Sequence, residues 1–108
     1  MGRMVSTNEA YFESLILSID EAELGQMFGK RCGKLNKKAF AAFYKDKIVF
    51  KLGREEVNHL IEKYIGSKNW DPSEKNRGMK DWIQIPEEYK SDWETLMSKA
   101  VEYNDLNK

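Results

Sequence analysis

The sequence predicts an α+β fold: a two-layer domain in which helices cover one face of an antiparallel sheet. Three observations predict it. Apolar residues recur at helical spacing in three separated stretches, near 12–19, 57–65 and 93–101. Between the first two stretches the pattern becomes short runs broken by turn residues. Those strand-like runs also neighbour one another along the chain, which excludes a doubly wound parallel sheet. With 108 residues and 12.7 kDa there is room for one domain over 1–108, with an ordered core over about 7–104.

Each element follows from local chemistry. Ser6-Thr7-Asn8-Glu9 reads as a capping box, and Phe12, Leu15, Ile16 and Ile19 form the apolar stripe of the helix behind it. Asp20, Glu21, Glu23 and Gly25 mark its exit. Three strands are expected next: Gln26–Cys32, Lys38–Lys45 and Ile48–Leu52, joined by turns at Gly33–Lys37 and Asp46-Lys47. Gly53 ends this meander and caps a second helix, whose stripe is Val57, Leu60, Ile61, Tyr64 and Ile65. Gly66 suits its C-terminal boundary. A polar connection follows, with a short strand near Trp70. Met79–Ile85 alternates, with Trp82 on one face and Ile83 and Ile85 on the other, and ends at Pro86. Ser91-Asp92-Trp93-Glu94 reads as a second capping box, opening a helix with Trp93, Leu96, Met97, Ala100 and Val101 on its stripe. The order is helix, three strands, helix, two strands, helix.

Composition excludes several function classes. The chain has 18 basic and 18 acidic residues, so it lacks the strongly basic profile of a general nucleic-acid packing protein. No apolar run approaches the length of a membrane span, and mean hydropathy is −0.71, as for a soluble protein. Cys32 is the single cysteine, so no intrachain disulfide forms. The N-terminal residues lack the apolar core of a secretory signal. These features point to the cytoplasm. Met1–Ser6 matches the loose myristoylation pattern, which many unmodified chains also match.

Neutrality conceals a pattern. Residues 1–29 carry a net charge of −4, residues 30–54 carry +8, and residues 55–108 carry −4. The basic segment supplies the candidate binding residues Lys30, Arg31, Lys34, Lys37, Lys38, Lys45 and Lys47, interleaved with Phe40, Phe43 and Tyr44. Lysines among aromatics suit a phosphate backbone and stacked bases. They equally suit the solvated face of a sheet, with the rings turned into the core.

No constellation predicts catalysis. His59 is the only histidine and lies off its helix's apolar stripe, so it has no place in a nucleophile–base triad. One cysteine and one histidine do not make a zinc site. Glu55-Glu56 and Glu87-Glu88 stand at helix starts, where carboxylates favour the helix dipole. Gly53 lacks the companion glycines of a phosphate loop. Lys30, Arg31 and Lys34 near Cys32 would lower a thiol pKa, but no base partner accompanies it. Trp70, Arg77 and Met79 either pin the 66–79 connection to the core or form a ligand lid. The residues predict no enzyme, no cofactor and no metal.

An ordered set of short motifs resembles the TfoX N-terminal domain family. It comprises Met27-Phe28-Gly29, Lys38-Ala39-Phe40-Ala41, Val49-Phe50-Lys51-Leu52, Asp71-Pro72, the run Met79–Pro86, and Trp93 with Ala100. The resemblance spans about residues 10–104. It implies an α+β domain similar to secretion-chaperone folds and a homodimer. It implies no catalytic or cofactor residues, and gives Met27, Phe28, Trp82 and Trp93 as core formers. The expected function is a non-enzymatic regulatory module acting through protein contacts. The alternative is a nucleic-acid-binding module using the basic meander 30–54.

Overall fold

The computed structural model describes residues 6–73, 75 and 78–106. Met1–Val5 and Arg77 lie outside the described residues, and with them most of the myristoylation pattern and one residue of the candidate lid. The fold is α+β, as the sequence predicts. Its helices are α1 (Thr7–Leu17), α2 (Arg54–Lys63) and α3 (Trp93–Leu106), the last preceded by a 3₁₀ segment, Glu87–Asp92. Its strands are β1 (Glu23–Met27), β2 (Lys30–Leu35), β3 (Lys38–Tyr44), β4 (Lys47–Lys51), β5 (Lys68–Trp70) and β6 (Met79–Ile85). All pairings are antiparallel, in the spatial order β1-β2-β3-β4-β6-β5.

The meander has four strands where three were expected. The expected first strand, Gln26–Cys32, is a hairpin: Phe28 and Gly29 form a two-residue turn with φ of 53° and 74°. Positive φ at both central positions matches the twist of the flanking strands. Phe28 is a poor residue for that conformation, so the Phe-Gly pair does not read as a turn. The glycine expected in a turn, Gly33, lies inside β2 opposite Ala41. A side chain there would collide with α1, since a Cβ would stand 2.3 Å from Ile16 Cδ1. Gly33 is therefore a point of close approach, not a bend.

Helix boundaries mostly follow the sequence. Ser6 Oγ accepts from Glu9 N–H at 3.0 Å, completing half of the predicted capping box. Gly53, with φ of 89°, caps α2. Ile65 leaves its predicted stripe and is 74% exposed, because Tyr64 already has extended backbone and the helical period stops there. The second capping box does not form. Pro86 is the extended N-cap residue, and the chain runs through the 3₁₀ segment into α3, so Ser91 has helical surroundings.

The two sheet faces differ. The first carries Phe40, Ile48, Phe50, Ile83 and Ile85 beneath the buried residues of the helices: Phe12, Leu15 and Ile16 of α1, Val57 and Leu60 of α2, Trp93, Leu96 and Met97 of α3. This is the main core. Among the described residues, no helix packs on the second face. It buries its own cluster of Cys32, Ala42, Tyr44, Val49, Trp70 and Trp82. Phe28, at the β1–β2 turn, meets Trp70, on the opposite edge strand, with ring centroids 6.1 Å apart. In a flat sheet, the first and sixth strands would lie roughly 24 Å apart at about 4.8 Å per strand. The sheet is therefore rolled, and this roll shields a cluster that no described helix covers.

Candidate functional site

The predicted basic residues do not converge on one site. Arg31 points to the helix-covered face, where its Nε donates to Glu13 Oε2 of α1 at 3.0 Å. Lys37 occupies the β2–β3 turn with φ of 67°, and Lys38 opens β3 beside it. Lys30, Lys34, Lys45 and Lys47 gather around the second sheet face. The ammonium groups of Lys30 and Lys45 lie 5.5 and 5.4 Å from the Tyr44 ring centre. Lys34 packs over Gly25, and Lys47 pairs with Tyr44 across the strands.

Strand register adds Lys51, from the same basic segment, and Lys68, from outside it. Lys51 pairs with Trp82, and Lys68 pairs with Gln84, so both share the second face. Glu23, opposite Lys34, puts a carboxylate on the same face. Lys51 was legible in the alternation Ile48-Val49-Phe50-Lys51, whereas Lys68 needed the placement of β5. The aromatic rings do not form a stacking surface. Phe40 is fully buried in the main core, and Tyr44, Trp70 and Trp82 are buried beneath the lysines. Phe28 reverses the expectation of a core residue: it is 63% exposed, its edge turned against Trp70. Trp82, Trp93 and the half-buried Met27 pack in the core as expected.

A second surface lies between α1 and α3. There an apolar groove of about 580 Å³ is walled by Tyr11, Leu15 and Ile19 on one side and Met97 and Val101 on the other, with Glu94 at its margin. Nearby hydroxyls bond back to their own helix: Ser14 Oγ donates to Tyr11 O at 2.7 Å and Ser18 Oγ to Leu15 O at 2.8 Å. The wall is thereby less polar than its composition suggests. Elsewhere on α1, Leu17 is 67% exposed and is not part of the groove lining.

Cys32 is fully buried, and burial raises its thiol pKa despite the opposing charges of Lys34 and Arg31. A group buried in this way is a poor nucleophile. His59 is exposed on α2. A broad cleft of about 1000 Å³ opens at the N-terminus of α2 around Gly53, Arg54, Glu56, His59 and Tyr103. It is a wide surface depression with Glu55 and Glu56 in the first helical turn, the placement that the helix dipole favours. Among the described residues, no three His, Cys, Asp or Glu side chains converge as metal ligands. Trp70 and Met79 pack in the second-face cluster, which fits the pinning role for their connection. No described helix is long and apolar enough to cross a membrane.

The chain matches no family model, no curated protein and no solved structure.

Proposed function

We propose that this chain is a non-enzymatic regulatory domain of the TfoX N-terminal type, which acts through protein–protein contact and pairs with a second copy of itself. The observation that carries the reading is the α1–α3 groove, together with the exposed Leu17 on another side of α1. An isologous dimer needs a surface that complements itself across a two-fold axis. An apolar groove and an exposed apolar side chain on the same helix supply both halves of such a contact from each copy. The lining is also poor in charge, as interface centres are. The ordered motifs of the sequence support the family reading, and the lone Cys32 supports a reducing, cytoplasmic setting.

Sedimentation equilibrium at tens of micromolar tests the pairing. The wild type is expected to sediment with about twice its 12.7 kDa chain mass, and Leu17→Glu with the single-chain mass. Leu17 is 67% exposed, so the substitution leaves the core intact, and circular dichroism verifies this. A wild-type monomer at these concentrations overturns the reading.

A further inference from the structure

We propose that the second sheet face is a docking surface for double-helical DNA, held through its phosphates and not through its bases. Charge complementarity is the ground. Lys30, Lys34, Lys47, Lys51 and Lys68 stand on one face, drawn from β2, β4 and β5, with Lys45 at the adjoining turn. The sequence placed its basic residues in one segment. The register rearranges them, sending Arg31 to the other face and bringing in Lys51 and Lys68.

Two details select a phosphate backbone over the alternatives. A protein-binding surface is centred on accessible aromatics and arginine and is depleted in lysine. Here the cations are lysines, and Tyr44, Trp70 and Trp82 are buried beneath them. Single-stranded recognition requires ring faces open to bases. Of the rings on this side, Phe28 alone is exposed, and it lies at the turn. What remains for a ligand is a field of point charges above a filled interior. Such a field suits a regular array of phosphates and carries no sequence information. Glu23, opposite Lys34, is a carboxylate on this face, and the net charge of zero comes from the acids of the flanking segments. The helical groove proposed for pairing is on the opposite layer, so the two surfaces are independent.

Fluorescence anisotropy with a labelled 20-base-pair duplex at 50 mM salt tests the proposal. The wild type is expected to bind, with a log–log salt slope of about −4.5 for five phosphate contacts. Two double variants separate face from net charge. Lys51→Glu/Lys68→Glu alters the sheet face, and Lys63→Glu/Lys99→Glu makes the same charge change on α2 and α3. The first pair is expected to weaken binding at least tenfold and the second less than threefold, both keeping the wild-type circular dichroism. No wild-type binding at 50 mM salt overturns the proposal, as does equal weakening by the two pairs. A single-stranded oligonucleotide bound more than tenfold tighter than the duplex also overturns it. So does binding to vesicles of anionic lipid in the absence of DNA binding. A protein monomeric in sedimentation but positive here leaves this proposal standing and removes only the pairing.

Discussion

Gly33 shows how one position couples two layers. It has ordinary strand backbone, so its requirement is spatial. A Cβ would meet Ile16 Cδ1 at 2.3 Å and Phe40 Cζ at 3.2 Å, both side chains being fully buried. Gly33→Val is therefore expected to destabilise the fold by about 1–3 kcal/mol through overpacking, measured by urea unfolding. Gly53 has both requirements, a φ of 89° and the Tyr103 ring 2.7 Å from where a Cβ would stand. The thiol of Cys32 offers a second test at this scale. Burial holds its pKa up, so native protein is expected to resist thiol reagents at pH 8 and react only after denaturation. Rapid native labelling by a thiol-reactive chromophore contradicts that placement.

At the scale of elements, α3 is attached to the rest of the fold through the 3₁₀ segment before it. Asn8, buried at the start of α1, donates through Nδ2 to Glu87 and accepts through Oδ1 from Lys90 Nζ at 2.6 Å. The same lysine lies over the Tyr11 ring, which stacks on Trp93. From the residue that ends α2, Tyr64 Oη donates to Asp92 Oδ2 at 3.0 Å. Asn8→Ala leaves Glu87 and Lys90 without this bridge and is expected to cost about 1–3 kcal/mol, read as a lower denaturation midpoint. Tyr64 adds a pH dependence. Burial first, then its bond to Asp92, raises the phenol pKa above its ordinary value of about 10. The folded protein keeps that proton longer than the unfolded chain, so the contribution is complete below about pH 10 and is lost as pH climbs through the raised value. Tyr64→Phe is expected to flatten the fall in stability above pH 10. An unchanged alkaline limb contradicts the assignment.

Which elements the sequence discloses depends on how local their causes are. The stripes of α1, α2 and α3 are single-helix patterns, and Ser6 and Gly53 are local boundary signals, so these could be read directly. The β1–β2 turn could not, because Phe28 takes a positive φ that its residue type does not favour. The roll that brings Phe28 to Trp70 arises across six strands, and no segment contains it. For the same reason the basic segment could be found but not its division between faces. Arg31 and Lys30 are adjacent in sequence and lie on opposite sides of the sheet. The α1–α3 groove joins residues some eighty positions apart, and the sequence gives each wall only as a helix stripe.

The whole molecule is a sheet with two unlike exteriors: a helical layer bearing an apolar groove, and a lysine-bearing face over a buried aromatic cluster. Its charge pattern along the chain becomes a spatial one, with acidic flanking segments and a basic sheet. The central claim is that the helical exterior pairs with itself. Small-angle X-ray scattering tests it most directly, since forward scattering reports mass and the radius of gyration reports shape. A single chain has a Cα radius of gyration of 13.0 Å. The account predicts a forward scattering equal to twice 12.7 kDa with a radius well above 13.0 Å, reverting to the single-chain values in Leu17→Glu. A wild-type protein that scatters as one chain of 12.7 kDa at tens of micromolar contradicts it.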